Sequence, residues 1–99
     1  MATSIEFLSA ARVEFDQAFD WYASRSHGAA IGFASAVEDV IDKVLAGPER
    51  FARTYAGCQY CPLPRYPYSL VYYSTKGRVT FVAVAHAKRR PGYWRTRLQ

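Results

Sequence analysis

The sequence predicts an α+β domain in which an N-terminal strand and an antiparallel two-helix hairpin pack on a mainly antiparallel sheet. Apolar residues recur at helical spacing between residues 10 and 46. After Pro48 the pattern changes to runs of aromatic and β-branched residues, which are typical of strands. The 99 residues, 51% of them hydrophobic, fit one domain over residues 1–99 with a single core.

The first predicted elements are a short strand and a helix. Residues 4–8 place Ile5 and Phe7 on one face, which predicts a strand. Ser9 is a residue type that caps helices. From residue 10 to residue 24 the apolar residues share one helical face: Ala11, Phe15, Ala18, Phe19 and Tyr22. We therefore expect the first helix to pack through this face.

The second helix is predicted from Ala29 to Ala46, after a break at residues 26–28. Its apolar stripe comprises Ala30, Phe33, Ala34, Val37, Ile41, Val44 and Leu45. Gly47 and Pro48 end the helix, because glycine suits a left-handed cap and proline cannot continue a helix. A break this short predicts that the two helices form an antiparallel hairpin.

Three strands are expected after the helices, which gives the order β-α-α-β-β-β. The first covers residues 58–63, and prolines at its far end indicate an edge or a bend: Pro62, Pro64 and Pro67. Residues 68–74 and 79–85 form the other two, joined by a tight turn in which Gly77 takes a positive φ. Residues 79–85 are apolar on both faces, so we expect a central strand. The basic, aromatic segment from Lys88 to Arg97 is expected to be a loop or a helical turn.

Charge is divided unevenly along the chain. Residues 1–46 contain seven acids and three bases, a net charge of −4, whereas residues 47–99 contain one acid and ten bases, a net charge of +9. The basic half predicts nucleic acid or an acidic protein as the partner. The alternative is that these charges only keep a small domain in solution.

Several classes of protein are disfavoured by what the sequence lacks. No apolar run approaches the roughly 18 residues of a membrane span, and residues 1–6 do not resemble a signal peptide, so we expect a cytoplasmic protein without membrane contact. Cys58 and Cys61 form a lone C-x-x-C, whereas zinc would need two more ligands. In a strand the two thiols would point to opposite faces. We expect no metal and no cofactor.

Four motifs in order resemble the RelE/ParE toxin superfamily over residues 5–97. Pro48-Glu49-Arg50-Phe51 resembles the family's P-x-R-F helix exit, and Arg65–Tyr73 resembles its R-F-P-Y-x-I-x-Y strand. Val82–Trp94 resembles the V-x-A-V-A-H-x-x-R-x-P-x-Y-W end, and Trp21-Tyr22 also fits. The resemblance implies the toxin of a type II toxin–antitoxin (plasmid stabilisation) system. Such a toxin inhibits bacterial growth and is neutralised by a small acidic antitoxin in a hetero-oligomer.

The resemblance leaves the target open. RelE-like members cleave mRNA, usually on the ribosome, as metal-independent endoribonucleases. ParE-like members poison DNA gyrase and are not nucleases. A non-toxic nucleic-acid-binding module is the third alternative, because a fold does not fix a function.

Candidate site residues lie in the basic half of the chain. RNA cleavage without a metal needs a proton-transfer group and cations that hold the phosphate. His86 is the candidate acid or base, Arg65 and Arg89 are candidate phosphate clamps, and Tyr93 is a candidate hydrogen-bond donor or stacking surface. The candidates for target binding are Lys88, Arg90, Arg95 and Arg97.

Each candidate also has a structural alternative. His86 would cap the central strand through a backbone carbonyl, and Arg65 would contact a neighbouring strand or an acid of the helical hairpin. For Tyr93 and Trp94 the structural alternative is burial of the tail against the sheet; Trp94 would lie in the core, and the position of Tyr93 is left undecided. RelE-like nucleases place Lys, Glu or His on the strand before the arginine-bearing one, but residues 55–63 contain no Lys, Arg, Asp, Glu or His. This departure favours gyrase over mRNA as the target.

Overall fold

Two helices pack on a five-stranded sheet in the computed structural model of the chain, which describes residues 4–98. The prediction that residues 1–6 are not a signal peptide therefore lies partly outside the described residues. The elements are β1 (Ser4–Phe7), α1 (Ser9–Arg25), α2 (His27–Ala46), β2 (Ala52–Arg53), β3 (Gln59–Pro62), β4 (Tyr68–Thr75) and β5 (Arg78–His86). The strand order is β1-β5-β4-β3-β2, with β1 and β5 parallel and the other neighbours antiparallel. The α+β prediction is confirmed.

The strands differ from the prediction mainly at the outer edge of the sheet. β3 is shorter than expected, and the two-residue strand β2 beside it was not predicted. β2 pairs only with Gln59 and Tyr60, so Pro62 has no partner strand on its outer side and needs no backbone N–H there. The central position of β5, between β1 and β4, is confirmed. In the part of the chain that the structure describes, no helix is long and apolar enough to cross a membrane.

The helix boundaries correct two predicted caps. Leu8, not Ser9, is the N-cap of α1, because its N–H makes the last bond to β5 at the Phe81 carbonyl and the helix starts at the next residue. Gly47 was expected in a left-handed conformation, but its φ is −166°, which any residue can adopt. The predicted break at residues 26–28 is the single extended residue Ser26, whose Oγ accepts from the Ala29 N–H at 3.2 Å.

The P-x-R-F segment closes the second helix and joins it to the sheet. Arg50 donates to the carbonyl of Lys43 at 2.9 Å, so this backbone carbonyl in the last turn of α2 has a hydrogen-bond partner. The Pro48 carbonyl accepts from the Tyr72 hydroxyl at 2.5 Å and from Gln59 Nε2 at 2.9 Å. These bonds satisfy two polar side chains in the core, and burial of Tyr72 raises its pKa to about 12.

The core has two parts, one on each face of the sheet. On the face that packs on α1 and α2, called the helix side, buried residues include Phe33, Val40 and Phe81; Val40 was missing from the predicted stripe. The other face, called the tail side, is covered by residues 87–98, called the tail. Trp94 is buried there, as predicted, within a 3-10 turn from Tyr93 to Leu98.

A bulge in β5 changes which face its last residues occupy. Val71 pairs with Ala83 and Tyr72 pairs with Phe81, so Val82 is an extra residue. Val82 and Ala83 both pack in the tail-side core, and the alternation of side chains is reversed from there on. After the bulge Val84 therefore packs on the helix side and Ala85 on the tail side.

The β4–β5 turn offers a test of backbone strain. Lys76 and Gly77 have φ angles of 53° and 81°, the conformation of a type I′ turn, which favours Asn-Gly. Because lysine is disfavoured there, Lys76→Asn should stabilise the fold by roughly 0.5 kcal/mol. Urea denaturation would measure this change in stability. The control is Lys76→Ala, which removes the same charge but, unlike asparagine, does not favour a positive φ. Equal midpoints for the two variants would contradict the explanation.

Candidate functional site

Glu14, on α1, ties the tail to the end of β5. Its carboxylate accepts from both terminal nitrogens of Arg97 at 2.8 and 2.9 Å, from the Tyr93 hydroxyl at 2.5 Å and from the Val84 N–H at 3.0 Å. Arg97 also donates to the Val82 carbonyl at 3.0 Å. The Arg97 and Glu14 side chains are only 20% and 12% exposed. We call this set of bonds the clasp.

The clasp replaces a missing piece of the sheet. β1 ends at Phe7, opposite Phe81, so β5 continues without a parallel partner strand on that side. The Val84 N–H and the Val82 C=O would then lack partners, and an unpaired buried backbone group is costly. Glu14 supplies the acceptor and Arg97 supplies the donor that a continued β1 would have provided. The ion pair is therefore part of the sheet as well as an anchor for the tail.

Burial and hydrogen bonding have opposite effects on the pKa of Glu14 and act in the same direction on the pKa of Tyr93. Burial by itself raises the pKa of Glu14, but bonds from Arg97, Tyr93 and the Val84 N–H, with the charge of Arg97, outweigh it and lower that pKa. Burial and the bond to Glu14 raise the pKa of Tyr93. Glu14 is thus held as a carboxylate and Tyr93 as a neutral phenol.

This shift predicts acid sensitivity. Because the pKa of Glu14 is lower in the folded state, its contribution to stability is present above the unfolded value near 4.5 and is lost as the pH falls through the folded value. Thermal unfolding between about pH 6 and about pH 3 should therefore show a steeper loss of stability for the native chain than for Glu14→Gln. Parallel curves for the two proteins would show that Glu14 does not titrate as described.

His86 lies at the end of β5, as predicted, but its bond differs from the expected one. Its Nδ1 accepts from the Lys88 N–H at 3.0 Å instead of donating to a carbonyl. Its ring packs edge-on against Tyr68 with centroids 4.9 Å apart. Because Nδ1 is occupied by this bond, Nε2 is the ring nitrogen that remains for a ligand.

Arg65 lies apart from the other catalytic candidates. It occupies the loop between β3 and β4 with a φ of 69°, exposed to solvent. Neither expected structural contact is present, since its side chain makes no hydrogen bond or ion pair with any residue from 4 to 98. It also lines neither of the two clefts beside His86. The predicted grouping of Arg65 with His86 is therefore not seen.

Two clefts share the rim formed by His86, Arg89 and Tyr93. The helix-side cleft has a volume of about 420 Å³ and is also lined by α1 residues such as Glu14 and Trp21. The tail-side cleft has a volume of about 450 Å³ and is lined by Tyr55, Tyr60, Arg90 and Trp94 among others. The structure thus brings three of the four catalytic candidates together.

The basic candidates of the tail fall into two groups. Arg89 lies over the Tyr93 ring at 3.9 Å, Arg95 bonds the Gly92 carbonyl at 3.0 Å, and Arg97 is in the clasp. Lys88 and Arg90 are exposed, and their side chains make no hydrogen bond or ion pair within the described residues. Tyr93, whose position the sequence left undecided, is half-buried with its hydroxyl bound to Glu14.

Sequence reasoning missed Glu14, although a signal for it existed. Glu14 lies among Ala11, Phe15 and Ala18 on the apolar face of α1, where an acid is unusual. A carboxylate on a packed helix face needs a cationic or hydrogen-bonding partner. The basic tail is the segment of the sequence richest in such residues. The partner of Glu14 could not be identified from the sequence, because Arg97 is 83 positions away.

The cysteines lie on opposite faces of the sheet, as their spacing predicted. Cys61 packs on the helix side and Cys58 on the tail side, both free and buried. Burial raises the pKa of each thiol, which keeps it protonated and unreactive. Between residues 4 and 98 there is no group of three or more His, Cys, Asp or Glu placed to hold a metal ion.

Comparison with solved structures finds a similar fold. A chain of the structure described as "Chromosomal ParDE TA system from P. aeruginosa" matches with a TM-score of 0.65 and 16% sequence identity. The match covers 87% of this chain and 97% of that chain. No family model matches the sequence, and no curated protein matches it.

Proposed function

Because the chain has the RelE/ParE toxin fold, we propose that it is the toxin component of a type II toxin–antitoxin system. The four sequence motifs that resemble this superfamily support the same assignment. In this role the chain inhibits bacterial growth until a cognate antitoxin binds it. The proposal places its action in the cytoplasm, where both candidate targets are found.

We further propose DNA gyrase as the target, in preference to mRNA. The observation that carries this choice is the separation of Arg65 from the other three nuclease candidates. Arg65 lies outside both clefts, and the Tyr93 hydroxyl is bound to Glu14. The neighbouring segment, residues 55–63, offers no ionisable Lys, Arg, Asp, Glu or His to complete an acid–base pair. In the helix-side cleft, His86 and Arg89 would act on the phosphate without a second Lys or Arg among the described lining residues.

Deletion of the tail would not be a clean test of this proposal. Trp94 is buried in the tail-side core, and Tyr93 and Arg97 belong to the clasp. Removing residues 88–99 would therefore damage the fold as well as any contact surface. The exposed bases Lys88 and Arg90 are the better probes, since their side chains hold no other described residue.

Neutralising the two free tail bases should weaken gyrase inhibition. Lys88→Gln with Arg90→Gln is expected to raise the concentration that inhibits supercoiling about tenfold, which corresponds to about 1.4 kcal/mol of binding. His86→Ala should change inhibition less than twofold. The control is Lys43→Gln with Lys76→Gln, which removes the same charge from exposed sites elsewhere.

The nuclease alternative is tested in the same cells. Primer extension on mRNA after induction should show no new 5′ ends, whereas supercoiling by purified gyrase is blocked. New 5′ ends with normal supercoiling, lost in His86→Ala, would overturn the gyrase proposal in favour of RNA cleavage on the ribosome. If neither target is affected, both target proposals fail, and a non-toxic nucleic-acid-binding module is the alternative to test next.

We also propose that the antitoxin uses the groove between the two helices. This groove has a volume of about 290 Å³ and is lined by Phe7, Phe15, Val37 and Ile41, with charged residues at its rim. An amphipathic segment of the antitoxin would bury these apolar side chains, while the acidic part of the antitoxin would be attracted by the basic half of the chain outside the groove. A small acidic protein encoded beside this chain should co-elute with it in size-exclusion chromatography. Separate elution at low salt would contradict the pairing.

A further inference from the structure

The tail-side cleft differs from the helix-side surface in both charge and exposed aromatic area. We infer that this cleft is the anchor pocket for an acidic segment of a protein partner, with Tyr55 and Tyr60 as its principal contact residues. The inference rests on the proposed function, because it names the surface through which the target is held. Neither tyrosine was among the residues that the sequence singled out.

The charge around the cleft has a single sign. Its lining contains Arg89 and Arg90 and no aspartate or glutamate. The helix-side cleft contains Glu14, and the groove between the helices contains Asp16 and Glu38. An acidic segment would therefore be drawn to the tail-side cleft in preference to the other two surfaces.

Exposed tyrosines give this cleft the composition of a binding hot spot. Tyr55 is 46% exposed and Tyr60 is 37% exposed, although both belong to segments packed on the sheet. Tyrosine and arginine are the residues most enriched among those that dominate protein interfaces. The β3 strand holds Tyr60 in fixed register opposite Val71, so the ring is presented with little loss of conformational entropy on binding.

The surroundings of Tyr55 favour a protein partner over single-stranded nucleic acid. The Arg95 guanidinium lies over its ring at 5.0 Å. A Cβ placed on Gly92 would come within 3.1 Å of its Cδ2, so the tail backbone also contacts the ring. Base stacking needs a free ring face. Arg95 already lies over this ring, so we expect its remaining exposed surface to contact a side chain of a protein segment instead of a stacked base.

The binding test compares variants of the full chain with purified gyrase. Tyr60→Ala should weaken binding at least tenfold in surface plasmon resonance, and Tyr55→Ala should weaken it by a similar factor. Tyr60→Phe should retain most of the affinity, because it keeps the ring. The control is Ile31→Ala, an apolar side chain 52% exposed on α2, which should change the affinity less than twofold.

Thermal unfolding of each variant separates lost contact from lost fold. Tyr60→Ala should melt within a few degrees of the native chain and still co-elute with the antitoxin. If the native chain does not bind gyrase, both the proposed function and this inference are overturned. If the native chain binds gyrase but Tyr60→Ala and Tyr55→Ala bind equally well, only the inference is overturned. Loss of RNA binding by Tyr60→Ala with unchanged gyrase binding would also overturn it.

Discussion

Glu14→Ala should lower the free energy of unfolding by about 3–5 kcal/mol, the cost of removing one partner from a buried ion pair. Three groups would lose their acceptor at once: the Arg97 guanidinium, the Tyr93 hydroxyl and the Val84 N–H. Arg97 would remain as a charge only 20% exposed. The tail would lose its main polar attachment to α1.

Denaturant unfolding of matched variants measures this effect. Glu14→Gln keeps the shape and can still accept from the Val84 N–H, so it should cost less than Glu14→Ala. Glu14→Gln combined with Arg97→Gln should cost less than the sum of the single changes, because each single change leaves one buried charge unpaired and the double change leaves none. Additive losses would show that the two side chains stabilise the fold independently, contrary to the geometry of the clasp.

Phe33→Ala is expected to have a comparable effect through packing alone, about 3–5 kcal/mol. Phe33 is fully buried, and its ring lies 5.2–5.6 Å from four others, those of Phe15, Tyr22, Tyr66 and Tyr68. It therefore joins α2 to α1 and to the start of β4. Truncation would leave a cavity that this many rings cannot close by small movements.

A half-buried phenylalanine provides the control for this variant. Phe51 lies on the chain after α2, beside the Arg50 side chain, and contacts the edge of the same core. Phe51→Ala should cost clearly less than Phe33→Ala in the same denaturation series, because part of its surface already faces solvent. Similar losses for the two variants would show that burial does not determine the cost here.

Local patterns predicted most of the elements, because each depends on residues close in sequence. The run of residues 79–85, apolar on both faces, and the Lys76-Gly77 turn identified the central hairpin, and Gly47-Pro48 placed the end of α2. The exact caps were predicted less well. Ser9 was predicted to be the N-cap of α1, but Leu8 is the N-cap, and its N–H donates to the Phe81 carbonyl of the sheet.

The candidate site was predicted only in part, because its decisive contacts are distant in sequence. His86, Arg89 and Tyr93 were identified by type and motif, and they do line a common rim. The bulge at Val82, which sets the face of the residues after it, depends on the register with β4 and has no local signature. Glu14 acquires its role only when β1 ends early and leaves part of β5 without a partner strand.

The parallel pairing of β1 with β5 also has a mechanical consequence. Ser4 pairs with Arg78 and Phe7 with Phe81, so the start of β1 and the end of β5 lie at opposite ends of the pair. A force that pulls the two ends of the domain apart would load these strands in shear, stretching all their hydrogen bonds together instead of opening them one by one. Beyond Phe7 the same load would pass through Glu14 and Arg97. The domain should therefore resist extension from its ends more strongly than a hairpin of the same size.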